Sequence, residues 1–217
     1  MHNAFISYDS AEVDRNADLA SEYYQNGRKA YNCSQYALAV SWYRKAAELG
    51  CANGQNSLGY CYELGHGVEK DFAEAAKWYK KAAEQGHPIA QCNIGYFYYA
   101  GIGVNKDPFE AVKWYQKSAA QGHARAQCNL GFCCTNGIGT EKNMHEAFSL
   151  YQAAAKNGHA RAQFNLGICY HYGMYVPQDS SIAKTWYQLA ADQGYEKAKA
   201  QLKRLEESSK HDNSASQ

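Results

Sequence analysis

Proline is scarce in this sequence, with 3 residues in 217, and no run of about 18 apolar residues occurs anywhere. The first shortage, beside 14% aromatic residues that include 19 Tyr, marks a folded chain rather than a disordered one. The second excludes a membrane-spanning helix. Charge of one sign is missing too: 22 basic against 21 acidic residues give a formal net charge of +1. No global field gathers nucleic acid or an anionic membrane, so neither is an expected partner. The first twenty residues carry acidic groups where a signal peptide needs an apolar run. The expected location is cytoplasmic, with a secreted or periplasmic one as the alternative if a leader has been removed.

The eight cysteines contain no CxxC pair and no Cys/His set at zinc spacing, so no metal or other cofactor is expected. They align instead by position: Cys92 with Cys128, and Cys61 with Cys133 and Cys169. Equivalent positions on packed helices lie roughly 10 Å apart, beyond the Cα separation that a disulfide tolerates. Reduced, buried thiols are the expectation.

What is present is a period of thirty-six. It links Gln55, Gln91, Gln127 and Gln163; Leu58, Ile94, Leu130 and Leu166; and Gly59, Gly95, Gly131 and Gly167. Trp42, Trp78, Trp114 and Trp186 share another slot, with Leu150 in the gap. A fixed period in the thirties signals stacked helical hairpins, each burying its apolar face against its neighbours. The predicted fold is therefore all-α, a right-handed α-solenoid of about five helix-turn-helix repeats closed by a C-terminal capping helix. Residues 1–16 read as a flexible lead-in, 17–207 as a single repeat domain and 208–217 as a disordered tail.

Within the repeats, helix A is expected near 17–31, 53–64, 88–100, 124–136 and from Ala160. Helix B is expected near 34–48, 71–85, 107–121, 143–157 and 179–193. Glycine pairs such as Gly65/Gly67 and Gly101/Gly103 follow helices rather than strands, which rules out a dinucleotide loop and points to left-handed helix caps. Asp71, Asp107 and Asn143 stand where a short polar side chain caps helix B. The tryptophans are read as core, each worth up to about 5 kcal/mol by area. His87, His123 and His159 are read as solvent-exposed turn residues.

The segment AQCNIGYFYYAGIGVNKDPFEAVKWYQKSAAQGHARAQ and its copies over about 52–200 resemble Sel1-like repeats, relatives of the tetratricopeptide repeat with a longer inter-helix turn. The resemblance implies an α-solenoid that bridges proteins, as adaptors do in signalling, protein quality control or bacterial contact with host cells. One branch, the cysteine-rich repeat proteins of Helicobacter, carries a disulfide in each repeat and has been described as binding penicillin. Its cysteine pairs are eight apart, whereas here Ala83 and Ala119 precede Cys92 and Cys128 by about that spacing.

Resemblance to tetratricopeptide domains also places helix A on the concave face and predicts inward rows. Arg125 and Arg161 fall in one, beside Asn53 and Ile89; Asn93, Asn129 and Asn165 follow Ser57 in the next; Phe164 aligns with Cys128. Tyr60, Tyr96 and Phe132 form an aromatic row, and Tyr99 and His171 share the last row with Glu63 and Thr135. An amide both donates and accepts, so it can pair with a peptide backbone without reading sequence. In related domains an Asn here and basic residues one turn earlier hold a peptide carboxylate, a role that Arg125 and Arg161 could fill. The asparagines could equally bridge neighbouring helices, and the aromatic row could equally be packing.

The function expected is a non-catalytic scaffold, monomeric, that binds a protein or extended peptide in the groove. The alternatives are an enzyme of the β-lactam-binding kind, which would need a nucleophile beside a base although no Ser, Cys and His break the repeat pattern together, and a self-associating structural spacer.

Overall fold

The structure, a computed structural model, describes residues 10–214, with side chains described over 15–207. The outer parts of the expected lead-in and tail, 1–9 and 215–217, lie outside the described residues. Eleven α-helices and no strand occur among the described residues. They are α1 (Ser10–Asn32), α2 (Tyr36–Glu48), α3 (Ala52–Leu64), α4 (Phe72–Glu84) and α5 (Pro88–Ala100), then α6 (Pro108–Ala120), α7 (Ala124–Asn136), α8 (Met144–Lys156), α9 (Ala160–Tyr172), α10 (Ser180–Asp192) and α11 (Glu196–Ser214). The central helices match the expected bounds to within two residues. At the ends the helices run further: α1 starts at Ser10 rather than Ala17, and α11 continues to Ser214 where a tail was expected from Ser208.

The helices divide into two compact units at the Asp107–Pro108 junction. In unit 1 each of α1 to α5 packs on its sequence neighbours, and in unit 2 each of α6 to α11 does the same.

Within a hairpin, helix A presents a glycine to a tyrosine of helix B. A Cβ on Gly59 would stand 2.9 Å from the Tyr79 ring, and one on Gly167 would stand 2.6 Å from that of Tyr187. Gly27 meets Tyr43 and Gly131 meets Tyr151 in the same way. These tyrosines are 0–4% exposed and centre the core. Of the tryptophans one position earlier, only Trp114 is buried; Trp42, Trp78 and Trp186 are half-buried, which corrects their reading as core. The next residue along a helix turns about 100°, so tyrosine takes the inward direction and tryptophan its flank. There Lys45, Lys81 and Lys117 cover Trp42, Trp78 and Trp114 at 4.3–4.7 Å from the ring centroid.

Between hairpins the repeated glutamine acts as a clasp. Gln55, Gln91, Gln127 and Gln163 are buried, and each donates Nε2 to the carbonyl eight residues earlier, of Ala47, Ala83, Ala119 and Ala155, at 3.1–3.4 Å. Each accepting carbonyl sits in the last turn of a helix B, where backbone acceptors lack intrahelical donors. Asp71, Asn143 and Asp179 cap the B helices, each accepting from backbone N–H groups two or three residues on.

The turn glycines differ in what they tolerate. Gly103 has φ +63°, and a Cβ there would lie 2.1 Å from the Phe72 carbonyl oxygen. Gly86 has φ +89°, and a Cβ there would meet nothing within 4 Å. Gly86→Ala pays only the left-handed backbone cost of about 1–2 kcal/mol, whereas Gly103→Ala adds displacement of α4, for a total loss of roughly 3 kcal/mol or more. Urea unfolding of the two full-length variants checks this, and equal midpoints would contradict the close-approach account.

Candidate functional site

The predicted site residues fall in both units. In unit 1, Tyr60 and Tyr96 are exposed aromatic residues, at 43% and 44%, on α3 and α5. Tyr99 is half-buried one turn beyond Tyr96. Asn93 is 9% exposed and donates Nδ2 to Asn56 Oδ1 at 3.3 Å, so it ties α5 to α3.

In unit 2 the structure gathers three of the predicted residues around Cys128. Arg161 donates Nη2 to Asn129 Oδ1 and Nε to Cys128 Sγ, the latter at 3.2 Å. Asn165 Nδ2 stands 4.0 Å from the same sulfur. Cys128 itself is wholly buried, as is Cys92 at the matching position, so that row forms a floor rather than a lining. Arg125 is exposed on the first turn of α7, and Phe132 is 40% exposed one turn beyond Asn129. Phe164 does not join them: it is half-buried against Tyr187 and Tyr195, at ring separations of 5.6 and 5.3 Å. His171 packs 6.3 Å from the Tyr187 ring, and neither its Nδ1 nor the Tyr187 hydroxyl has a hydrogen-bond partner among the described residues. A cavity of about 200 Å³ opens nearby, its lining including Phe132, Thr135, Met144, Asn165 and Ile168.

None of the eight cysteines is in a disulfide, and six are buried. Burial pushes the thiol of Cys61 up to about 12 and those of Cys133, Cys134 and Cys169 to about 11, so these remain protonated and poor nucleophiles. No group of three or more His, Cys, Asp or Glu suited to a metal ion occurs among the described residues, and no helix among them is long and apolar enough to cross a membrane.

The Sel1 repeat model matches at 16–51, 52–87, 88–123, 124–159 and 160–195, which together span most of the chain. The chain belongs to the Sel1 repeat family. Among solved structures it is similar to a Sel1 repeat protein from Oxalobacter formigenes, at 39% identity over 76% of this chain and 66% of that one, with a TM-score of 0.73. It is also similar to a protective antigen of uropathogenic Escherichia coli with an SLR fold, at 31% identity over 89% of this chain and 41% of that one, again with a TM-score of 0.73. An immunity protein from Pseudomonas aeruginosa is 26% identical over 82% of this chain and 67% of its own, with a TM-score of 0.55. The chain thus spans under two thirds of the length of the first two. Among curated proteins no sequence matches. Sel1 repeat proteins generally mediate protein–protein interaction and are typically non-enzymatic scaffolds.

Three Sel1 repeats end on a histidine, His87, His123 and His159, whose role the sequence did not reveal. His87 and His159 are half-buried N-caps: Nδ1 accepts the Ala90 N–H at 3.1 Å in one and the Ala162 N–H at 3.3 Å in the other. His87 Nε2 lies 3.0 Å from Asn53 Oδ1. Nδ1 must be bare to accept, so the proton of neutral His87 sits on Nε2 and is donated to Asn53. This corrects the expectation of solvent-exposed turn residues. Burial lowers the pKa of both, and for His159 the charges of Arg161, Arg125 and His123 lower it further. A folded-state pKa below the unfolded value of about 6.5 means that the neutral caps contribute fully above that pH. The contribution is lost as pH falls through the folded pKa. The variant His87→Asn/His159→Asn keeps a capping oxygen without the titration, so its unfolding midpoint falls less than the wild type's between about pH 7.5 and pH 5; parallel falls would refute the assignment.

Proposed function

We propose that this Sel1 repeat protein is a non-catalytic scaffold that holds a protein or extended peptide on its helix-A faces, with an acidic group of the partner at Arg161 and Arg125 in unit 2. The observation that carries this is the state of Arg161: it is exposed, fixed by Asn129 and Cys128, and paired with no acidic side chain among the described residues. A guanidinium held in place by neutral groups keeps its charge for a carboxylate and loses little freedom on binding. The pressure of Arg161, Arg125 and His123 on His159 indicates that basic groups converge there. Phe132 and the adjoining cavity offer an apolar neighbour of the kind that interface anchors fill. The asparagines already spent on inter-helix contacts, Asn93 and Asn129, serve in this reading as supports for the binding groups. Thiols held in their reduced, buried form suit a cytoplasmic setting.

The test is affinity capture from native lysate, comparing wild type with Arg125→Gln/Arg161→Gln after circular dichroism has shown both to be folded. The expected outcome is a protein recovered by the wild type and held at least tenfold more weakly by the variant, about 1.4 kcal/mol. Equal recovery would remove the assignment of this face.

A further inference from the structure

We propose that unit 1 carries a binding site of its own, for a carboxylate borne on an apolar or aromatic body, in which Arg28 and the hydroxyl of Tyr43 are the donors. The site is a cavity of about 220 Å³ between α1 and α3, lined by Tyr24, Arg28, Tyr31, Tyr43, Asn56 and Tyr60 among others. Of this lining only Tyr60 was among the predicted site residues, because the first hairpin has a shorter turn and the thirty-six-residue step does not carry its helix A onto the others.

Two unspent groups point into the same space. Arg28 is exposed, its guanidinium carbon stands 5.9 Å from the centre of the Tyr24 ring, and no acidic side chain pairs with it among the described residues. A cation–π contact of this kind orients the guanidinium without neutralising it. Tyr43 is 4% exposed, yet its hydroxyl makes no hydrogen bond among the described residues. Its counterparts do: Tyr79 donates to Glu63 Oε2 at 2.5 Å, and Tyr151 pairs with Thr135 Oγ1 at 3.1 Å. Glu63 follows Gly59 by four residues, and Tyr31 follows Gly27 by four, so Tyr31 holds the partner's place in the first hairpin. Its hydroxyl is committed to His66 Nδ1 at 2.8 Å. The donor of Tyr43 is thereby left for something else.

Burial pushes Tyr43 up to about 12, with the charge of Arg28 acting in the opposite sense, so the hydroxyl stays protonated near neutral pH. A protonated phenol and a guanidinium fork both offer N–H or O–H groups to an anion, and a single cation matches a single negative charge. That favours a planar carboxylate over a phosphate dianion. The rings of Tyr24, Tyr31 and Tyr60 supply the apolar wall for the body that carries it. The carboxylate can come from a free small acid or from the end of a peptide, and this inference does not depend on the reading of unit 2.

Calorimetric titration of the full chain tests it, with 3-phenylpropionate, its neutral amide, inorganic phosphate, and acetyl-Ala-Ala-Phe with a free or amidated C-terminus as probes. The expected result is that at least one free-carboxylate probe binds. Its amide and inorganic phosphate bind at least tenfold more weakly. Arg28→Gln weakens the acid at least tenfold, and Tyr43→Phe weakens it several-fold while leaving the unfolding midpoint unchanged. Displacement of the free-ended peptide by 3-phenylpropionate assigns the carboxylate to a chain end, and binding of 3-phenylpropionate alone assigns it to a small acid. The proposal is overturned if no carboxylate probe binds, if the amide binds as well, or if Arg28→Gln leaves affinity intact. It is equally overturned if the probe is lost on Arg125→Gln/Arg161→Gln, since that would place the acid in unit 2.

Discussion

The rest of the structure depends on the contact between a glycine of helix A and a tyrosine ring of helix B. Glycine in a helix interior costs about 1 kcal/mol relative to alanine, which is small beside the burial of a tyrosine ring. At about 25 cal/mol per Å², a ring of roughly 200 Å² contributes several kcal/mol before its hydroxyl is considered. The glycine is thus retained because the two backbones close upon the ring, and any Cβ would force the ring out. Gly27, Gly59, Gly131 and Gly167 all make this contact, with ideal Cβ positions 2.5–2.9 Å from ring carbons. Gln55 and its copies then bind each hairpin to the next in its unit by satisfying an end carbonyl, so that packing within hairpins and hydrogen bonding between them divide the work.

Burying a tyrosine for its ring carries its hydroxyl inward as well, and a buried hydroxyl without a partner costs about 1–3 kcal/mol. The repeats answer this in different ways. Tyr79 meets a carboxylate, Tyr151 meets a threonine hydroxyl, Tyr187 sits beside His171 without a bond to it, and Tyr43 lines a cavity. One invariant core residue therefore creates a variable polar demand at the inner end of helix A. Glu63 and Thr135, which answer it, belong to the row read from the sequence as Glu63, Tyr99, Thr135 and His171. These two are tied to the core through the tyrosine hydroxyl and are less free to serve a ligand than the row of Arg125 and Arg161.

Much of the fold was legible because its determinants are local and recur. Asp71 and Asn143 before apolar runs, Gly65 and Gly101 after them, and the thirty-six-residue step fix the helices with little reference to distant contacts. What stayed hidden turns on direction in space. Trp78 and Tyr79 are adjacent and both aromatic, and only the helix rotation decides that Tyr79 is wholly buried while Trp78 is half-exposed under Lys81. A histidine ahead of a helix reads as a surface residue until its Nδ1 is seen on the Ala90 N–H. The site was legible as a set of rows, but the use of Asn129 to position Arg161 joins residues thirty-two apart, and the period cannot say whether such a pair meets each other or a ligand. Arg28 escaped notice for the opposite reason: the shorter first turn breaks the register in which the other rows were found.

Departures from the repeat are consequently where specificity can reside. At one helix-A position the chain carries Asn53, Ile89, Arg125 and Arg161, all exposed, and the fold asks nothing common of them. Asn53 helps to hold His87, whereas Ile89 is 45% exposed and Arg161 rests on neutral partners. Residues that every repeat shares are answerable to packing, and changing them moves stability first. Residues that differ at a shared exposed position are answerable to whatever lies on that face, and changing them moves affinity with little effect on the hairpin. Arg28 and Arg161 are departures of this kind, exposed cations that pair with no acidic side chain among the described residues, and the binding proposed above turns on their charge.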